Sequence, residues 1–279
     1  MKVFLRTFGC RANHYDTEAV RAMLDAGGHT IVSSVGEADV AVFNSCAVTT
    51  EAEAELRKVV RRAARENPVL RSVVMGCAAA LDGQRPVALQ ARALPTVERV
   101  VPGADLVVLA DALDVPGELA VRGTIAQSTT RALLRVQDGC DEHCTFCATR
   151  LARGTNRSRS VDAVIAEATR LAERHTEIVI TGIHIGSYGV DVGSTLGALM
   201  SRLVREVPSA RFRLSSIEAT ELDDELVDLL ADAPDHLVPH VHAPLQSGSD
   251  AVLRRMGRNW YTAATYEGAV DRLASRMDV

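Results

Sequence analysis

The sequence predicts an α/β protein in two parts: an N-terminal domain on a parallel sheet, then an incomplete (β/α) partial barrel. Three observations predict it. Short apolar runs alternate with helix-like stretches through the first hundred residues. Residues 112–130, with Pro116, Gly117, Gly123 and Ser128 and no strong period, interrupt that alternation. It then restarts and continues toward Val279. A length of 279 residues suggests about two domains, and we assign them to residues 1–125 and 126–279.

In the first part, Val3–Phe8 reads as a strand and Asp16–Ala26 as an amphipathic helix, with Asp16 or Thr17 as its cap and Gly27-Gly28 as its stop. Asp39–Phe43 reads as a buried strand. Thr50 and Glu53 have capping-box spacing for the helix that follows, which runs to Arg65 and ends at Asn67-Pro68. Arg71–Met75 is a third strand. Strands separated by helices imply parallel pairing with crossover connections.

In the second part, Leu133–Gln137 is a strand and Val161–Arg174 a helix capped by Ser160. Then come strand Glu177–Ile183, helix Thr195–Val207, strand Arg211–Ile217 and helix Asp224–Ala231. Strand His240–Leu245, helix Asp250–Met256 and a last helix from about Thr262 complete the series. Four strand–helix units favour a curling sheet, whereas a closed barrel needs more strands. The chain stops as a fifth strand falls due, so a C-terminally truncated barrel is expected.

Apolar residues make up 47% and charged residues 24%, the balance of a globular protein with ample core. No run reaches the roughly 18 uncharged apolar residues of a membrane span, so no membrane partner is expected. Arg6 interrupts the N-terminus before a signal-peptide core can form. A cytoplasmic location is expected, where clustered thiols favour metal over disulfides. The net charge of −5 argues against polyanion binding by overall balance. Basic residues nevertheless gather at Arg57, Lys58, Arg61, Arg62 and Arg65 and again at Arg150, Arg153, Arg157 and Arg159. The first group is either a solvated helix face or a place for RNA phosphates.

All six cysteines stand just beyond apolar runs. Cys10, Cys46 and Cys77 each follow a strand of the first domain, where open parallel sheets place their sites. Cys140, Cys144 and Cys147 form a C-x3-C-x2-C loop after the strand at Leu133. Three thiolates can hold a cubane iron–sulfur cluster while leaving one iron without a protein ligand. Two alternatives stand beside this: buried cysteines acting as small hydrophobes, and a zinc site using His143 as fourth ligand.

The cysteine loop resembles the signature of radical S-adenosylmethionine (SAM) enzymes. Its setting is similar to the methylthiotransferase family, through Phe8-Gly9-Cys10 to Glu18, Asn44-Ser45-Cys46 to Glu53, and Met75-Gly76-Cys77-Ala78. Within that family the chain most resembles the branch acting on N6-threonylcarbamoyladenosine at tRNA position 37. Ala47-Val48-Thr49, Thr181–Gly189, Leu214–Glu218 and Pro244–Ser249 carry that likeness.

The resemblance implies two 4Fe–4S clusters and SAM as cofactors. Cys140, Cys144 and Cys147 would hold the cluster that cleaves SAM to a 5′-deoxyadenosyl radical. Cys10, Cys46 and Cys77 would hold the cluster that carries the sulfur to be inserted at C2 of the adenine, and a second SAM would supply the methyl group. The implied partners are the anticodon loop of tRNA, a reducing electron donor and a sulfur donor. Gly182 would let the backbone approach the methionine amino group, Ser216 and Glu218 would meet the ribose hydroxyls or cap and solvate their loop, and Arg153 would meet the SAM carboxylate or an RNA phosphate. His184 and Tyr188 would touch the flipped base or make ordinary loop contacts. Gln246 faces the barrel mouth with no role assigned, and no residue is assigned as catalytic.

The chain departs from the family pattern in three places. Ala148, Thr149 and Arg150 stand where two aliphatic residues and a proline are usual, and Leu109-Ala110 replaces a Gly-Asn pair. Measured against the same pattern, the later barrel strands and a small RNA-binding β-domain are expected to be missing. Competing functions are the same chemistry on isopentenyladenosine-37 of tRNA or on a ribosomal-protein aspartate, a non-catalytic iron–sulfur electron carrier, and an inert fragment. A carrier would usually give each cluster four protein ligands rather than three.

Overall fold

The computed structural model describes residues 1–82, 90–121 and 127–277. The chain divides into two units, one of residues 1–124 with Leu151–Arg153, the other of residues 125–150 with 154–279. The expected domain boundary at 125/126 lies outside the described residues.

The first unit runs β1 (Lys2–Thr7), α1 (Arg11–Ala26), β2 (Thr30–Val32), β3 (Val40–Ser45), α2 (Thr50–Glu66), β4 (Arg71–Gly76), α3 (Cys77–Ala80), β5 (Val97–Pro102) and α4 (Leu106–Ala112). Its strands form one parallel sheet in the order β2-β1-β3-β4-β5. Strand β3 lies between β1 and β4, and all six of its residues are buried, as a central parallel strand requires. Val20, Met23 and Leu24 of α1 and Leu109 of α4 pack on Val42, Met75 and Val101 of the sheet. Each such burial contributes roughly 1.5–3 kcal/mol. In this doubly wound order the strand sequence reverses between β1 and β3, and crevices form there beyond the C-terminal strand ends.

Four elements of this unit lie outside the sequence-based expectations: β2, only three residues long, the single turn α3, β5, mostly exposed or half-buried, and α4. Helix α1 starts five residues before the expected Asp16, with Cys10 at its cap. Asp16 and Thr17 are buried inside it, so neither caps it. Thr49, rather than Thr50, caps α2 by accepting from the Ala52 amide at 3.1 Å.

The second unit runs β6 (Ala132–Arg135), β7 (Gln137–Asp138), α5 (Thr149–Arg153), β8 (Arg157–Ser158), α6 (Val161–Ala172), β9 (Glu177–Thr181), α7 (Leu196–Glu206), β10 (Arg211–Leu214), α8 (Asp224–Asp232), α9 (Asp250–Arg255) and α10 (Ala263–Ala274). The last three residues of α5 are the segment that belongs to the first unit. Strands β10-β9-β6 form a parallel sheet. Leu134, Ile178, Ile180 and Phe212 of that sheet bury against Val164 and Leu171 of α6, Leu199 and Leu203 of α7, and Leu226 and Leu230 of α8. Ser160 occupies the cap of α6, although its side chain makes no cap bond there.

The expected strand His240–Leu245 does not form. Only isolated parallel bridges, Phe212 to Leu237 and Ser216 to His242, continue the sheet beyond β10. Pro239 precedes the segment and Pro244 lies within it, and neither offers an amide to a ladder, which explains its irregular path.

Two short antiparallel strands, β7 and β8, pinch the base of the cysteine loop through the pairs Gln137–Ser158 and Asp138–Arg157. Cys140 then donates its amide to the Gly154 carbonyl at 3.1 Å. Gly139 adopts φ +73°, and a Cβ there would collide with the Thr155 carbonyl. Gly139→Ala is therefore expected to destabilise the second unit by about 1–3 kcal/mol, measured as a lowered urea midpoint with an unchanged slope.

Candidate functional site

In the first unit, Cys10 follows β1, Cys46 follows β3 and Cys77 follows β4, and these three strands are neighbours in the sheet. Their thiols are near enough to feel one another's charge. A buried amide holds the three loop ends together. Asn13 of α1 donates through Nδ2 to the carbonyls of Phe8 and Ser45, both at 2.8 Å, and its Oδ1 faces Cys77 Sγ at 3.8 Å. Asn44 Nδ2 in turn donates to the Asn13 carbonyl at 2.8 Å. Ser45 Oγ accepts from the Ala79 amide at 3.1 Å and donates to the Met75 carbonyl, tying β3 to the start of α3.

Arg153 belongs to this unit and is buried. Its Nε donates to Cys77 Sγ at 3.2 Å, and its Nη2 donates to Asn13 Oδ1 and Asp16 Oδ2, each at 2.7 Å. Burial pushes the Cys46 thiol up in pKa and the Cys77 thiol up to about 11, with the Arg153 charge opposing both. Bare thiols here stay protonated at neutral pH, and a coordinating metal removes that proton.

In the second unit, Cys140, Cys144 and Cys147 occupy the loop above β7 and β8 and likewise act on one another electrostatically. Burial raises the Cys144 thiol while the Arg258 charge lowers it. Three of the six sulfurs accept the backbone amide two residues on: Val48 to Cys46 at 3.5 Å, Glu142 to Cys140 at 3.4 Å and Thr149 to Cys147 at 3.4 Å. Such donors stabilise thiolate charge, which suits ligands of an iron–sulfur group. Among the described residues no group of three or more His, Cys, Asp and Glu is drawn together for a single metal ion. His143, the proposed fourth zinc ligand, is exposed and its Nε2 faces Arg150 Nη1. Within each unit, three thiols without a fourth protein donor among the described residues suit a 4Fe–4S cubane, whose irons each take one ligand, better than a zinc cage.

The second trio opens on a cavity of about 220 Å³ in the same unit, walled by Phe146, Ile183, Ile217 and Trp260. Ser216 and Glu218 line it as well. Ser216 Oγ is bonded to His242 Nδ1 at 2.7 Å. The Glu218 carboxylate accepts from Trp260 Nε1 at 2.7 Å and from Arg258 Nη1. Arg258 also stacks between Phe146 and Trp260, 5.9 and 5.2 Å from their ring centres.

Gly182 follows β9, and a Cβ there would stand 2.9 Å from both the carbonyl and side-chain oxygens of Gln137. Gln137 is wholly buried and accepts the amides of Ile183 at 3.0 Å and His184 at 2.9 Å. His184 lies between Cys140 Sγ, 3.7 Å from its Nδ1, and the Glu221 carboxylate on its Nε2. Burial pushes the imidazole down, but these two partners prevail and raise its pKa to about 10.

A family model described as the radical SAM superfamily matches residues 134–279, and one described as uncharacterized protein family UPF0004 matches residues 2–94. The chain is 35% identical to a threonylcarbamoyladenosine tRNA methylthiotransferase of Bacillus subtilis, over 97% of this chain and 62% of the relative. It is 33% identical to the Aquifex aeolicus protein of the same name, over 100% of this chain and 71% of that one. A tRNA-2-methylthio-N(6)-dimethylallyladenosine synthase of Jannaschia is 30% identical over 98% of this chain and 62% of its own length. The chain belongs to the radical SAM methylthiotransferase family. It spans less than two thirds of the Bacillus and Jannaschia relatives.

Against that family the placement of the expected residues is mixed. Cys10, Cys46 and Cys77 lie in the first unit and Cys140, Cys144 and Cys147 in the second; Ser216 and Glu218 line the cavity beside the latter three, and Gly182 stands against Gln137. Arg153, expected on a SAM carboxylate or an RNA phosphate, instead has its fork engaged by Asp16, Asn13 and Cys77 in the first unit. Tyr188 is core rather than a base contact, 1% exposed with its hydroxyl donating to the Arg159 carbonyl at 2.9 Å. Gln246 lines the cavity with φ +69°, a left-handed conformation rare for a non-glycine residue. Asn13, Gln137, Glu221, Arg258 and Trp260 went unnoticed; the one available signal was polar side chains inside helix- and strand-like patterns.

No helix among the described residues is long and apolar enough to cross a membrane. The raised His184 pKa sets a pH dependence. A pKa of about 10 in the folded chain, against about 6.5 unfolded, gives stability that is complete below about pH 6.5 and fades toward pH 10. His184→Gln should therefore lower the Tm most near pH 6 and least near pH 10.5, as followed by circular dichroism on the cluster-free protein.

Proposed function

We propose that this chain carries the catalytic units of a tRNA methylthiotransferase that adds a methylthio group at C2 of threonylcarbamoyladenosine-37. The observation that carries the reading is the pair of three-thiol sites, one in each unit, each with amide donors aimed at sulfur. The substrate branch rests on the names of the Bacillus and Aquifex relatives and on the cavity-lining segment Ser216–Glu218. Cys140, Cys144 and Cys147 would hold an iron–sulfur group that supplies the electron for SAM cleavage, and Cys10, Cys46 and Cys77 would hold one that carries the sulfur to be inserted.

The chain's own residues bind, orient and shield. Phe146, Ile183, Ile217 and Trp260 give the cavity apolar walls that keep water from a reactive species. The Gly182 backbone would meet the amino group of SAM, and the Ser216 hydroxyl and Glu218 carboxylate, held by His242, Arg258 and Trp260, would receive ribose hydroxyls. His184 stands beside Cys140, oriented by the Glu221 carboxylate on its Nε2. The partners are the anticodon loop of tRNA, a low-potential electron donor and a sulfur donor, in the reducing cytoplasm.

Nucleoside mass spectrometry of cells lacking the gene tests the substrate. Loss of 2-methylthio-threonylcarbamoyladenosine supports the reading; loss of the isopentenyl form instead would move the enzyme to the other tRNA branch, and an unchanged profile would overturn it. Iron and sulfide counting tests the sites separately. Anaerobic loading should give about eight irons per chain, falling to about four when Cys46→Ala and Cys77→Ala are combined.

A further inference from the structure

The guanidinium of Arg153 is an unusual neighbour for a thiol. The side chains of Arg153 and Asp16 are 4% and 2% exposed, so the ion pair between them is almost dry. A buried cation without a counter-charge costs several kcal/mol, and Asp16 offsets that cost. Yet the fork is not fully turned to the carboxylate: Nε points at Cys77 Sγ, 3.2 Å away. Asn13, whose amide nitrogen already binds the ends of β1 and β3, holds the fork through its own oxygen at 2.7 Å. Direction and distance are thereby set by α1, independent of the sulfur.

A donor to a ligating sulfur, and a positive charge in a dry pocket, both favour the more negative of two redox states. We propose that Arg153 is a positioning residue for the iron–sulfur group at Cys10, Cys46 and Cys77, raising its reduction potential by donating to the Cys77 sulfur, with Asp16 and Asn13 fixing the fork. This rests on reading that trio as a cluster site. Asp16 tempers the effect, since its negative charge partly cancels the cation's field. The pair therefore acts as a graded setting, and changes at its two members move the potential in opposite directions.

The test uses the full chain with Cys140, Cys144 and Cys147 replaced by alanine, so that one cluster remains, loaded anaerobically and titrated by electron paramagnetic resonance. Arg153→Gln should make one-electron reduction about tenfold less favourable, a midpoint about 59 mV more negative. Asp16→Asn should shift the midpoint the other way, and Arg153→Lys, which keeps the charge, should recover part of the loss. The double variant Arg153→Gln/Asp16→Asn removes both buried charges together and should fall between Arg153→Gln and the parent. It carries the comparison if Arg153→Gln alone does not load. A purely structural role lowers iron content without this ordering. Loaded variants that share the parent midpoint would overturn the proposal. A parent that binds no iron would bring down the reading of the trio, and this inference with it.

Discussion

The first unit depends on one buried amide. Asn13, fully shielded from water, donates to two loop ends and accepts from a guanidinium, so one side chain keeps Cys10, Cys46 and Cys77 in register. Backbone carbonyls at strand ends have no ladder partner, and leaving them buried and unmet would cost about 1–3 kcal/mol each. The residue that answers them also restrains the thiols. Packing and site construction are therefore the same interaction here.

The second unit solves the same problem with different atoms. Gln137, also fully buried, accepts two successive amides after β9, donates to the Gly139 carbonyl at 2.7 Å and binds Asn156 Oδ1 at 2.6 Å. It thus joins the turn at Gly182 to the base of the cysteine loop. Around the cavity, charges are arranged in closed pairs, His184 with Glu221 and Arg258 with Glu218. In a low-dielectric pocket such pairing fixes side chains that water would otherwise let wander.

Much of this was legible in the residues because strong signals coincide. β1, β3, β4 and β9 hold apolar runs bounded by polar segments, β10 alternates arginine with buried Phe212 and Leu214, and each cysteine of the first trio sits at the end of an apolar run. The signals failed where tertiary partners outvoted local preference. Asp16 looks like a helix cap, but a buried arginine six residues beyond Cys147 claims its carboxylate, and the helix starts earlier. His240–Leu245 has strand-like spacing, but Pro239 and Pro244 withhold the amides a ladder needs. Edge strands β2 and β5 bury too little to leave a periodic trace. Arg153 reads as an anion ligand in sequence, since nothing local to it announces its partners on α1.

Helix α1 starts at Cys10, whose side chain makes no capping bond. Its first-turn amides consequently lack the oxygen that serine or aspartate would offer at that position. A negatively charged cluster ligated through the Cys10 sulfur would sit at the positive end of a sixteen-residue helix dipole. Fraying of that turn and loss of the cluster would then be one coupled equilibrium, in which ligation tightens the helix and a bare sulfur loosens it.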